Sequence, residues 1–134
     1  MAWIRSNKKS SSTPTLATHS GKIYMDDGSI VADSNYIYSD FFDCPDGYAY
    51  FDVGENDSEN HYIGVEMCKE DGTHVDWWGA SGRFRNVNCA TYYRNQNVRK
   101  LRLSFRKQYK ASVMFIDVVN YKTYSVSATL IDVE

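Results

Sequence analysis

The sequence predicts an all-β protein, an antiparallel β-sandwich of jelly-roll type with an extended N-terminal arm. Three observations predict it. Short stretches of period-two alternation recur after Gly21, turn residues punctuate them regularly, and no window shows helical periodicity. The composition agrees. A chain of 134 residues is long enough for one domain with a real core, and 43% hydrophobic residues fit a globular chain rather than a disordered one. Tyr contributes 11 residues, a type that suits strands and binding surfaces alike.

Residues 1–20, MAWIRSNKKSSSTPTLATHS, read as an anchoring arm and a Ser/Thr-rich linker. Trp3 and Ile4 are its apolar anchors, with Arg5, Lys8 and Lys9 beside them. Residues 21–134 read as the β domain. Lys22–Met25 and Ile30–Ala32 flank a hairpin-type turn at Asp26-Asp27-Gly28-Ser29. Tyr36–Phe42 is a further strand, ended by Cys44-Pro45-Asp46-Gly47, where Pro presets a turn and Gly supplies a permissive backbone. Tyr48–Val53 follows, then the polar loop Gly54–Asn60. His61–Cys68 sets His61, Ile63, Val65 and Met67 on one face. Lys69-Glu70-Asp71-Gly72 turns the chain into Thr73–Trp78, Gly79–Gly82 is a loop, Arg83–Val87 a short strand, and Cys89–Asn97 irregular. Val98–Arg106 alternates most cleanly: Leu101, Leu103 and Phe105 point inward, Lys100, Arg102, Ser104 and Arg106 outward. Ala111–Val118 is apolar on both faces, as expected of a central strand covered on both sides. Thr123–Ile131 alternates to the end.

The net charge of −2 hides a split. Asp26 to Asp76 holds 14 of the 17 acidic residues and one basic residue, Lys69, whereas Trp77 to Ile116 holds nine of the 15 basic residues and no acid. Such blocks neutralise each other across neighbouring strands, or make two faces of opposite sign. No apolar run approaches the ~20 residues of a membrane helix, and the N-terminus lacks the apolar core of a secretory signal. The expectation is synthesis in a cytoplasm without membrane insertion. Cys44, Cys68 and Cys89 are odd in number and widely spaced, which argues against a disulfide framework and for small, partly buried hydrophobes.

The chemical motifs are weak. The cysteines and His19, His61 and His74 lack zinc-site spacing. Asp52, Glu55, Asn56, Asp57 and Glu59 are rich in hard oxygens but lack the order of an EF-hand. Glu66 and Asp76 sit on strands expected to be neighbours, as a glycosidase pair would, yet nothing marks either as buried. Gly79-Ala80-Ser81-Gly82 lacks the full nucleophile-turn form. No enzyme activity, cofactor or metal is expected. Arg99, Lys100, Arg102, Arg106, Lys107 and Lys110 form a basic strip beside Tyr92, Tyr93 and Tyr109, the composition of a single-strand nucleic-acid grip. The strongest binding hint is aromatic. Tyr48 and Tyr50 face away from the core if Ala49, Phe51 and Val53 face it, and one of the adjacent Trp77 and Trp78 must also turn outward. With Tyr92, Tyr93 and Arg102 these residues form the candidate surface for a sugar or another subunit.

Three segments, YIYSDFFDCPDGYAYFDVG, HYIGVEMCKEDGTHVDWW and VRKLRLSFRK, fall in a suggestive order. Ser39-Asp40-Phe41-Phe42, Pro45-Asp46-Gly47, Glu70-Asp71-Gly72 and Leu101-Arg102-Leu103-Ser104-Phe105 resemble the strand and turn pieces of small jelly-roll modules in phage tail and baseplate proteins. The opening MAWIRSNKK with its spacer resembles the start of small virion proteins from phages of Gram-positive hosts. The resemblance implies a non-enzymatic virion accessory protein, docked through its N-terminal peptide on a larger capsid, tail or baseplate protein. It also implies a homo-oligomer such as a trimer, and in some members binding of host-surface glycan. A free-standing carbohydrate-binding module is the alternative, and a nucleic-acid binder using residues 99–110 the next.

Overall fold

The computed structural model describes residues 14–53, 63–80 and 84–133. Among these the chain forms β1 (Thr15–Tyr24), β2 (Ile30–Ser39), β3 (Phe42–Asp43), β4 (Tyr48–Asp52), β5 (Ile63–Cys68), β6 (His74–Ala80), β7 (Phe84–Asn88), β8 (Lys100–Arg106), β9 (Ser112–Val119), β10 (Lys122–Ser127) and β11 (Thr129–Asp132). Two sheets pack face to face, one ordered β11-β1-β2-β8-β5-β6 and the other β10-β9-β4-β7. Strand β3 continues β2 along β8. Pairing is antiparallel except between β1 and β11. The all-β sandwich predicted from the alternation is therefore the fold.

Phe51, Ile63, Met67, Leu101 and Leu103 are fully buried between the sheets. They occupy the inward positions of β4, β5 and β8, where the period of two puts them. The Asp26–Ser29 turn closes the β1–β2 hairpin as expected, with Asp27 accepting from the Ser29 N–H at 2.9 Å.

Several strand limits differ from expectation, and β6 runs to Ala80 into the loop expected from Gly79. Strand β1 starts at Thr15, so the expected boundary at residue 20 falls inside it and Thr15–Ser20 belong to the sheet. Trp3, Ile4, Arg5, Lys8 and Lys9 lie outside the described residues. Ile30–Ala32 and the start of Tyr36–Phe42 form one strand, β2. Thr123–Ile131 divides at Ala128 into β10 and β11, which belong to different sheets. At the handover the Ala128 N–H donates to Val113 O and the Thr129 N–H to Pro14 O, both at 2.8 Å. Val126, Ala128 and Leu130 pack on the same core from either side of the break, so the alternation runs on undisturbed.

The middle of the outward side of β5 and β8 is not solvated. Glu66, Cys68 and Ser104 point away from the core and are buried. The far half of the β1–β2 hairpin folds over them, bent where the register slips between Ser20 and Lys22 and Gly21 takes φ 106°. Three hydrogen bonds hold it: Tyr24 N–H to Ser104 Oγ at 3.3 Å, the Tyr24 hydroxyl to Ser39 O at 2.6 Å, and the Trp77 indole N–H to Tyr24 O at 3.1 Å.

This second layer makes the fold sensitive to alkali. Burial pushes the Tyr24 phenol from 10.0 up to about 12. Burial, then the neighbouring Glu66 carboxylate, pushes the Cys68 thiol from 9.0 up to about 12. Each group is harder to ionise folded than unfolded, so its stabilisation is complete below its unfolded value and lost as pH rises toward 12. The unfolding free energy from urea titrations should fall between pH 9 and 12, by at most about 1.4 kcal/mol per pH unit for each group within its window and less where water reaches it. Tyr24→Phe should cost about 1 kcal/mol at pH 8 and make the decline above pH 10 shallower.

Candidate functional site

The outer face of the four-stranded sheet is built from the alternate positions that β4, β7, β9 and β10 turn away from the core. One row across it runs Asn86, Tyr50, Met114, Ser127, and the next runs Asn88, Tyr48, Ile116, Ser125. Phe84, Asp52 and Ser112 border the first row, and Val118 and Thr123 lie beyond the second. Asp52 is the one charged residue among these positions, in a chain that is 24% charged. Val118 is 60% exposed, Phe84 48% and Tyr48 36%. Tyr50 and Phe84 stack with ring centroids 5.8 Å apart and planes 25° from parallel. Met114 and Ile116 are half-buried and Val118 is exposed, so the outward side of β9 is only partly covered by the described residues.

The seven predicted surface residues do not form one site. Tyr48 and Tyr50 lie on this face. Trp77 shares the opposite sheet's outward side with Glu66, beneath the hairpin. Trp78 turns to the core side, where the Arg85 guanidinium carbon stacks 3.0 Å from its ring centroid. Desolvation lowers the pKa of that guanidinium. Tyr92 and Tyr93 sit in the turn after β7 as an edge-to-face pair at 4.8 Å. Tyr92 is exposed, whereas Tyr93 donates its hydroxyl to Asp76 at 2.7 Å. Burial, with that acceptor second, raises the Tyr93 pKa. Arg102 is enclosed by Glu66, Tyr24 and Phe41. The sequence pattern did not reveal Phe84, Met114, Ile116 and Val118 as partners of Tyr48 and Tyr50, although the two-faced apolarity of Ala111–Val118 was the signal for three of them.

Among the described residues, two of the six residues of the basic strip, Lys100 and Arg102, pair with acidic residues of the chain, as does Arg94 outside it. Lys100 contacts Asp43 at 2.7 Å and Glu70 at 3.4 Å, Arg102 donates to Glu66 at 2.7 Å, and Arg94 reaches Asp46 at 3.5 Å. Hydrogen bonding to Asp43 raises the Lys100 pKa. Arg106 lies over the Tyr36 ring at 5.3 Å. The acidic and basic blocks thus meet in part across strands, through Asp43, Asp46, Glu66 and Glu70. Glu66 pairs with Trp77 and Met67 with Asp76, so the Glu66 and Asp76 carboxylates point to opposite faces of the sheet and cannot share a cleft. Among the described residues no group of three or more His, Cys, Asp and Glu could hold a metal ion. His61 and the acidic residues Glu55, Asp57 and Glu59 lie outside the described residues. No helix among the described residues is long and apolar enough to cross a membrane.

No known protein family, curated protein or solved structure matches the chain.

Proposed function

We propose that this protein is a non-enzymatic structural subunit that packs the outer face of its four-stranded sheet against a neighbouring copy of itself. The observation that carries this reading is β9: Val113 and Phe115 fill the core on its inward side, while on its outward side Met114 and Ile116 are only half-buried and Val118 is exposed. A strand apolar on both sides belongs under two layers. A charge-poor, aromatic and aliphatic face matches the composition of an interface core, and it meets its own copy without stranding buried charge.

The role in a phage particle, mounted on a larger virion protein through residues 1–13, rests on the sequence resemblance. The strand order β2-β8-β5-β6 facing β10-β9-β4-β7 supports the jelly-roll expectation for such modules. The glycan reading has one specific observation in its favour, the Tyr50–Phe84 ring pair with Asn86 and Asp52 beside it.

Sedimentation of the full chain tests the proposal. The native chain should be oligomeric. Val118→Glu should give monomers with little change in melting temperature, because that side chain is exposed. A monomeric native chain overturns the self-contact. Specific glycan binding that Tyr50→Ala abolishes, together with a monomeric chain, would assign the face to sugar instead.

A further inference from the structure

A cleft of about 480 Å³ opens where β1 begins, between the larger sheet and β9 and β10 of the smaller one. Its wall is apolar and reaches the core. Leu16 and Phe115 are buried, and the Phe42 ring centroid lies 5.9 Å from that of Phe115. Phe41, which also lines the cleft, is exposed. Asp43 and Asp117 bring negative charge to it, and Lys100 positive charge that is shared with Glu70. A cleft of this size and lining suits an apolar ligand with a cation beside it. The chain carries such a segment. Trp3 and Ile4 are followed by Arg5, Lys8 and Lys9, and residues 1–13 contain no acid. The described residues begin at Pro14, which lines the cleft and accepts from the Thr129 N–H at 2.8 Å. Strand β1 runs from there into the sheet, so the chain before it leaves at the cleft. Residues 5–13 span at most about 30 Å, well over the ~10 Å between stacked sheets, which is enough to turn back.

We propose that this cleft is the docking site for Trp3, Ile4 and Arg5 of the same chain, the two apolar side chains against its wall and the guanidinium beside its carboxylates. The tether decides between the chain's own arm and a neighbour's. A short flexible link sets an effective concentration of roughly millimolar, which a second copy in dilute solution does not reach. The cleft lies apart from the outer face of the smaller sheet, so the docking is independent of the self-contact proposed above. On the mounting role proposed for residues 1–13, a larger protein that takes these anchors competes with the cleft for them.

Cys44 reports on the cleft, because it lines it and is partly exposed, whereas Cys68 and Cys89 are buried. The full chain is treated with iodoacetamide under native conditions, and alkylation of each cysteine is followed by peptide mass. Trp3→Ala combined with Ile4→Ala should raise the Cys44 rate about tenfold or more, the change expected when a contact worth about 1.4 kcal/mol is lost. Cys68 and Cys89 should stay slow in both proteins, and the native Cys44 rate should not vary with protein concentration. Equal Cys44 rates in the two proteins would overturn the proposal. So would a gain shared by all three cysteines, which means unfolding, or protection that grows with concentration, which gives the cleft to a neighbour's arm. Val118→Glu lies outside the cleft and should leave the protection intact whether or not the outer face associates, so the two proposals fail separately.

Discussion

Arg102→Met should cost about 3–5 kcal/mol of stability, although the replacement is apolar and of similar reach. The cost arises at Glu66, which is 1% exposed and accepts from Arg102 Nε at 2.7 Å and meets His74 Nδ1 at 2.8 Å. Methionine leaves that carboxylate in the second layer without its main counter-charge. It also removes the guanidinium that stacks 4.2 Å from the Tyr24 ring centroid and 4.3 Å from that of Phe41. The hairpin tip rests on the same group, since a Cβ on Gly28 would come 3.1 Å from Glu66 Oε2. Lysine should not rescue the site, because it has neither the planar stack nor the fixed donor geometry. Removing both charges should recover most of the loss: Arg102→Met with Glu66→Met should be more stable than either single variant, with a coupling of about 2 kcal/mol or more. Urea unfolding of the four proteins at pH 7 measures this. A loss below about 1 kcal/mol for Arg102→Met would mean that water reaches Glu66 and that the hairpin does not cover it.

The same pair shows where the sequence stops being legible. On β8 the alternation located Leu101, Leu103 and Phe105 in the core, because a period of two is a local property of the chain. It also placed Arg102 and Ser104 on the other side, correctly, but not under a cover. That cover depends on the bend at Gly21 and the register slip beside it, and neither has a local signature distinct from a linker or a turn. The candidate face divides similarly. Tyr48 and Tyr50 followed from the parity of one strand. Their neighbours Phe84 and Met114 follow only from the long-range register of β4 with β7 and β9, which a single sequence leaves open. Trp77 and Trp78 carried their own answer: adjacent residues on one strand must face opposite ways, and they do.

Gly47→Ala tests that register most directly, and it should destabilise the fold by about 3 kcal/mol or more. Gly47 is buried immediately before β4, and a Cβ there would fall inside the Ile116 carbonyl oxygen and against Asp117 Cα. Both obstacles are backbone, so no rotamer change relieves the clash. Nor can the chain step aside, because the Gly47 N–H donates to Asp117 Oδ1 at 2.7 Å and its carbonyl accepts from the Cys89 N–H at 2.9 Å. The displaced strand would take Tyr48 away from Ile116, its partner on β9, and so would disturb the candidate contact face as well as the core. Gly21→Ala is the matched control. Gly21 has φ 106°, but a Cβ there would meet nothing within 4 Å, so its cost is conformational only, about 1–2 kcal/mol. The ordering Gly47 well above Gly21, read from urea midpoints, separates close approach from backbone strain. A Gly47→Ala protein as stable as the native chain would place β4 and β9 in a different register, and the outer face would lose the rows on which its assignment as a contact surface depends.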